Sequence, residues 1–202
     1  MSTVVAVRQN GKVYLASDLL KGRFGLYIEM TSETNLRIRK LKNGILIGSI
    51  GYKAQTSRLY LNESWFTPKK GEKFDKKFIV TSIIPKYIAR LKKDGALEQG
   101  DEDEKTNAPF TSSSFIVVSG QDIFVIDSEF NVTEIDKIAV LGDSLATKFI
   151  GEYLEFHDGE ETISSILNAF CECSKIRKGV GKSIVVVDSE SGKFEFYGDK
   201  IW

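Results

Sequence analysis

Residues 2–18 read Ser2-Thr3-Val4-Val5-Ala6-Val7-Arg8-Gln9-Asn10-Gly11-Lys12-Val13-Tyr14-Leu15-Ala16-Ser17-Asp18, and the rest of the chain is best read outward from them. The runs Val4 to Val7 and Lys12 to Ser17 flank Asn10-Gly11, a dipeptide that accepts the backbone of a two-residue hairpin turn. Asp18 closes the second strand. The same pattern recurs at Leu36 to Leu41 and Ile45 to Ile50 about Lys42-Asn43-Gly44, so four strands are expected before residue 52.

The pattern then changes to helical. A short helix is expected from Tyr52 to about Leu61, and a longer one from Lys73 to Lys93, where Phe74, Phe78, Ile83, Tyr87, Ile88 and Leu91 share a face. Pro85 inside it removes a donor and clashes with the preceding turn, so it must kink or divide the helix. Residues 95–110, with Asp101-Glu102-Asp103-Glu104, show no periodicity and read as an exposed acidic loop. Strands return at Ser113 to Val118, Ile123 to Asp127 and Val132 to Ile135. Helices follow at Ser144 to Phe156, with Leu145, Phe149 and Tyr153 on one face, and at Glu161 to Ile176, with Ile163, Ile166, Leu167 and Phe170. A last hairpin joins Ile184 to Val187 with Phe194 to Tyr197 through Ser189-Glu190-Ser191-Gly192.

Blocks of antiparallel strands separated by helices differ from the one-to-one alternation of a parallel sheet. The economical solution is an α+β four-layer αββα sandwich: two stacked sheets with helices outside. The wholly apolar Ile184 to Val187 fits a strand covered on both faces.

Composition narrows the function. The 202 residues carry 28 Lys and Arg against 28 Asp and Glu, a net charge of zero, so no basic field exists to hold a nucleic-acid backbone. No apolar run approaches the 18 residues of a membrane span. The apolar stretch Val4 to Val7 is too short, and lacks the preceding basic region, for a secretory signal, so a cytoplasmic protein of one domain, 1–202, is expected. Cys171 and Cys173, spaced C-x-C on a helical stretch, read as reduced structural residues, and with one histidine no zinc pattern can be assembled. Gly179-Val180-Gly181-Lys182-Ser183 lacks the first glycine of a phosphate loop and precedes a strand, so it reads as a helix-to-strand turn. His157, in a His-Asp-Gly turn, is no base for a triad. Trp65, Phe66 and Trp202 fit either local core or a subunit interface.

The opening Ser2 to Val7, with Asn10-Gly11-Lys12 and Leu15 to Asp18, resembles the start of mature proteasome beta subunits and of their bacterial relative, the HslV peptidase, in which an Asp lies sixteen residues after the nucleophile. Arg39-Lys40-Leu41, Ile45 to Gly51, Ile116 to Asp127 and Ile138-Ala139-Val140 with Gly142 extend the resemblance over most of the chain. It implies the Ntn-hydrolase fold, whose architecture is the same four-layer sandwich, and an N-terminal nucleophile peptidase or amidohydrolase. Removal of Met1 would leave Ser2 with a free α-amine as its own general base, suited by an unperturbed pKa of about 7.7 to 8.0. Asp18 would orient the amine and a neighbouring cation. The resemblance puts the family's lysine at or near Arg37, whose proton is effectively never lost. A backbone N–H near Gly48 or Gly51 would hold the oxyanion. The family's Gly-Ser-Gly-Gly becomes Leu141-Gly142-Asp143-Ser144, and its second supporting Asp falls at Ile176 or Arg177.

By resemblance the chain forms a homo-oligomer, a ring in the family's manner, acts on a peptide or small amide and needs no cofactor or metal. The alternative is a non-catalytic structural homologue of a proteasome-like subunit. Neither ring symmetry nor an ATPase partner follows from the residues.

Overall fold

The computed structural model describes residues 3–23, 26–29, 36–99 and 109–198. Its first sheet contains β1 (Val4–Gln9), β2 (Lys12–Asp18), β12 (Ile138–Leu141), β13 (Ile184–Asp188) and β14 (Phe194–Tyr197), in the order β12-β1-β2-β13-β14. The second contains β5 (Ile38–Lys40), β6 (Leu46–Ile50), β9 (Ser114–Ser119), β10 (Asp122–Ile126) and β11 (Val132–Ile135), in the order β11-β10-β9-β6-β5. All pairings are antiparallel. Asn10 and Gly11, at φ 52° and 76°, make the turn between β1 and β2 as expected.

The sheets meet through one apolar layer, and each has a second face covered by helices. Alternation along β1 sends Val4 and Ala6 between the sheets, while Val5 and Val7 join the cluster beneath α4 (Ser144–Phe156) and α5 (Thr162–Ile176). β13 repeats this, with Val185 and Val187 inside and Ile184 and Val186 under the helices. That double coverage is why neither strand alternates with polar residues. α1 (Lys53–Tyr60) and α3 (Ile84–Lys93) cover the second sheet through Leu59, Tyr87 and Leu91, which pack on Ile47, Phe115 and Val117. The layers are thus helices, sheet, sheet, helices: the expected αββα sandwich.

Several local expectations need correction. Leu20–Arg23 (β3) and Leu26–Glu29 (β4) form an additional antiparallel ribbon. The stretch 95–110 is not wholly loop, because Glu98–Gln99 (β7) pairs with Pro109–Phe110 (β8); Asp101 to Glu104 lie outside the described residues. The long helix begins only after Asp75, whose carboxylate caps it by accepting from the Phe78 N–H, as α2 (Lys76–Phe78). It passes through a π-helical stretch, Ile79–Ile83, before Pro85, which is how the missing proline donor is accommodated. On α4 the buried stripe is Ala146, Ile150 and Leu154, one residue on from the one expected, and Leu145 is exposed. The bulky Phe149 and Tyr153 are only partly buried, at the margin of that stripe. Phe66 is core and Trp65 packs against it.

Candidate active site

Of the residues singled out in the sequence, the structure joins Asp18 and Arg37 directly. β2 ends at Asp18, beside Thr3 at the entry to β1. Asp18 is fully buried, and Thr3 donates its N–H to Asp18 Oδ1 at 2.9 Å. Arg37, immediately before β5, reaches across from the other sheet. Its Nη1 donates to the Asp18 carbonyl at 2.6 Å and lies 3.4 Å from Oδ1, while Nη2 donates to the Leu20 carbonyl. Asp18 Oδ2 accepts the Gly181 N–H at 3.2 Å. One carboxylate therefore ties together β1, β2, the approach to β5 and the turn before β13.

Burial pushes the Asp18 carboxyl above its ordinary value; the Arg37 guanidinium and the N–H groups of Thr3 and Gly181 oppose the rise without cancelling it. Burial likewise lowers Arg37, against the attraction of Asp18. Removing both charges from water is expensive, and such a pair persists because of what it positions. Arg37 makes three hydrogen bonds, two of them to main-chain carbonyls, so it is a fixed cation and carries no mobile proton.

The second cluster lies on the other flank of β1, where β12 runs antiparallel to it with Leu141 opposite Val4. Gly142 leads from β12 to Asp143, the N-cap of α4; its Oδ1 accepts from the N–H groups of Leu145 (3.1 Å) and Ala146 (3.2 Å). Its Oδ2 accepts from Arg177 Nη2 at 2.5 Å. Burial would raise the Asp143 carboxyl, but the Ala146 N–H, Arg177 and the Leu145 N–H outweigh it and hold it below the ordinary range. Ser144 is the exposed first residue of α4 and takes no part in this cluster. Cys173, buried on α5, feels both clusters: burial raises its thiol, Arg177 opposes the rise, and Asp143 and Asp18 add to it.

The two glycines proposed for an oxyanion donor separate. Gly48 is inside the β-ladder, paired with Ile38 and Ile116, and a Cβ there would stand 2.5 Å from Val4 Cγ1. Its absence lets the sheets close. Gly51 occupies the turn after β6 at φ +106°, and its N–H donates to no described residue. Met1 and Ser2 lie outside the described residues, as do Ile201 and Trp202.

Sequence reasoning missed Gly181 and the pairing of Arg177 with Asp143. Gly179 to Ser183 is the helix-to-strand turn expected, but it also closes on Asp18, and a Cβ on Gly181 would lie 2.8 Å from Leu20 Cβ. The glycine was the available signal. His157 sits at the far end of α4, roughly 20 Å along the helix from Asp143, with its ring stacked on Tyr153 at 4.0 Å. Among the described residues no His, Cys, Asp and Glu cluster could hold a metal, and no helix is long and apolar enough to cross a membrane.

The chain matches no protein-family model and no curated protein. Solved structures do resemble it. BPH from Thiobacillus denitrificans, solved in complex with epoxomicin, superposes with TM-score 0.67 at 13% identity, over 92% of this chain and 97% of that one. Eukaryotic HslV from Trypanosoma brucei gives 0.62 at 16%, over 92% and 98%. Anbu, an ancestral beta-subunit, from Yersinia bercovieri gives 0.68 at 13%, over 98% and 88%. At these identities the likeness is one of fold: the chain has the proteasome-like Ntn-hydrolase fold.

Proposed function

We propose that this chain is an N-terminal nucleophile amide hydrolase, with Ser2 as the nucleophile once Met1 is removed. The observation that carries this reading is the buried Asp18–Arg37 pair on which the Thr3 N–H is hung, because it sets a fixed cation and a carboxylate beside the point where the chain enters β1. A permanent positive charge nearby favours the neutral form of an α-amine, and only the neutral form can accept a proton. The amine takes the Ser2 hydroxyl proton as oxygen attacks the substrate carbonyl, then gives it to the leaving amine. Water hydrolyses the resulting ester and restores both groups. Arg37 contributes charge and position, with the proton carried by the amine alone. The Gly51 N–H receives the oxyanion.

The likeness to HslV and to the epoxomicin-bound BPH supports a peptide or small amide as substrate and a ring-like homo-oligomer as the working form. A second reading, an assembling but non-catalytic homologue, is favoured by one observation: Arg177 stands where the resemblance places a carboxylate, and its charge is taken up by Asp143. Hydrolysis of fluorogenic peptide amides by wild type and by Ser2→Ala, with assembly followed by light scattering, separates the two. The enzyme reading expects turnover that vanishes in Ser2→Ala while assembly persists. Equal signal from both proteins, or none from wild type, overturns it.

A further inference from the structure

The ladder between β6 and β9 ends at Ile50 opposite Ser114, so the next pair, Gly51 and Ser113, lies just beyond the last strand pairing. A different device takes over there. Ser113, 1% exposed, donates through Oγ to Gln55 Oε1 at 2.9 Å, and Gln55, 4% exposed, comes from the first turn of α1. Gln55 Nε2 in turn donates to the Ala96 carbonyl at 3.0 Å and to Glu98 Oε1 at 2.8 Å. Ser112 Oγ meets the same carboxylate at 2.8 Å, and the Gln55 carbonyl accepts from the Tyr87 hydroxyl at 3.2 Å. Both polar atoms of the Gln55 side chain are engaged, as burial demands.

Gly51 is packed directly against this network. A Cβ there would lie 2.1 Å from the Ser112 carbonyl oxygen and 2.6 Å from Ser113 Oγ, so the turn has no room to move toward β9. On the α1 side, the N–H groups of Gln55 and Thr56 both donate to the Tyr52 carbonyl at 2.9 Å, linking the residue after Gly51 to the same glutamine. Tyr52 supplies no side-chain cap to α1, and Gln55 joins the helix start to the strand opposite.

We infer that Gln55 and Ser113 act as a clamp, anchored by Glu98, that positions the Gly51 turn to receive the oxyanion; the inference rests on the Ser2 reading given above. The clamp touches no reacting atom. It fixes the direction of a main-chain N–H, and donor direction is what oxyanion stabilisation depends on. Loosening the turn therefore lowers the rate of the chemical step and leaves ground-state binding in place.

Two variants, Ser113→Ala and Gln55→Met, test it in the full-length assembled protein, with Ser165→Ala as a control that removes another buried hydroxyl, one on α5. Amide hydrogen exchange is measured alongside peptide hydrolysis. The expected result is exchange at least about tenfold faster at Gln55 and Thr56, whose N–H groups donate to the Tyr52 carbonyl, unchanged exchange in β1, and kcat lowered by up to about 10²-fold with KM within twofold. The control should match wild type in both. Unchanged exchange at Gln55 and Thr56 overturns the clamp whether or not the protein is active, and faster exchange with unchanged kcat overturns its catalytic part. Absence of hydrolysis by wild type overturns the Ser2 reading, and with it the inference, while exchange still shows whether Ser113 and Gln55 hold the turn.

Discussion

Asp18 and Arg37 meet inside the molecule with 0% and 9% of their side chains exposed, whereas Asp143 and Arg177 meet at the rim with 12% and 30% exposed. The same two functional groups flank the same strand, yet burial raises the first carboxyl and hydrogen bonding lowers the second. The inner pair is held at a cost in desolvation and joins segments from both sheets. The outer pair caps a helix and stabilises its own ionisation. A position-setting pair and a stability-giving pair thus stand side by side at the entry to β1.

The comparison breaks first at the inner pair. Arg37→Met leaves a buried carboxylate without its cation and should destabilise by about 3–5 kcal/mol in urea titration, while Asp18→Leu combined with Arg37→Met should recover much of the loss. A single substitution costing under about 1 kcal/mol would mean that water reaches the pair. Gly181→Ala forces a methyl onto Leu20 and displaces a donor of Asp18, for an expected loss of about 1–3 kcal/mol, read from the same titrations. At the rim, Asp143→Ala removes the cap of α4 and should cost about 0.5–2 kcal/mol.

The smallest effect is the most diagnostic. The Asp143 carboxyl is lowered in the folded protein, so its charge contributes stability that is present above the ordinary value of 3.8 and is lost as pH falls through the lower native value. Asn can still cap a helix, so Asp143→Asn should differ from wild type by less than about 1 kcal/mol at neutral pH. That difference should vanish in acid. Asp18 has the opposite sign: its raised carboxyl contributes fully below 3.8 and loses stability as pH rises through the native value. A thermal-melt series from pH 2 to 7 on wild type and Asp143→Asn checks the first trend; a gap that widens toward acid would reverse the assignment.

Much of the fold was legible because strand and helix periodicities change where the layers change. Ile184 to Val187 and both helices after residue 143 emerged within a residue of their bounds, and Val4 to Val7 is the start of a strand that runs on to Gln9. The ribbon at Leu20 to Glu29 carried no pattern separable from its surroundings, and the buried stripe of α4 was misplaced because Leu145 looks more like core than Ala146 does. In the site, Asp18 and Arg37 were found through spacing and resemblance, and the structure brings them together. Gly181, Gln55 and Ser113 were not, since a glycine in a turn, a glutamine in a helix and one serine in the run Ser112-Ser113-Ser114 acquire meaning only from neighbours distant in sequence.

The central claim is that the entry to β1 is a reactive amine and hydroxyl held beside a buried cation. Intact-mass and peptide-level spectrometry of the untagged protein after incubation with an electrophilic peptide tests it most directly. The account predicts a chain beginning at Ser2 and carrying one adduct on that residue, absent in Ser2→Ala. A chain that keeps Met1, or an adduct that survives Ser2→Ala, would contradict it.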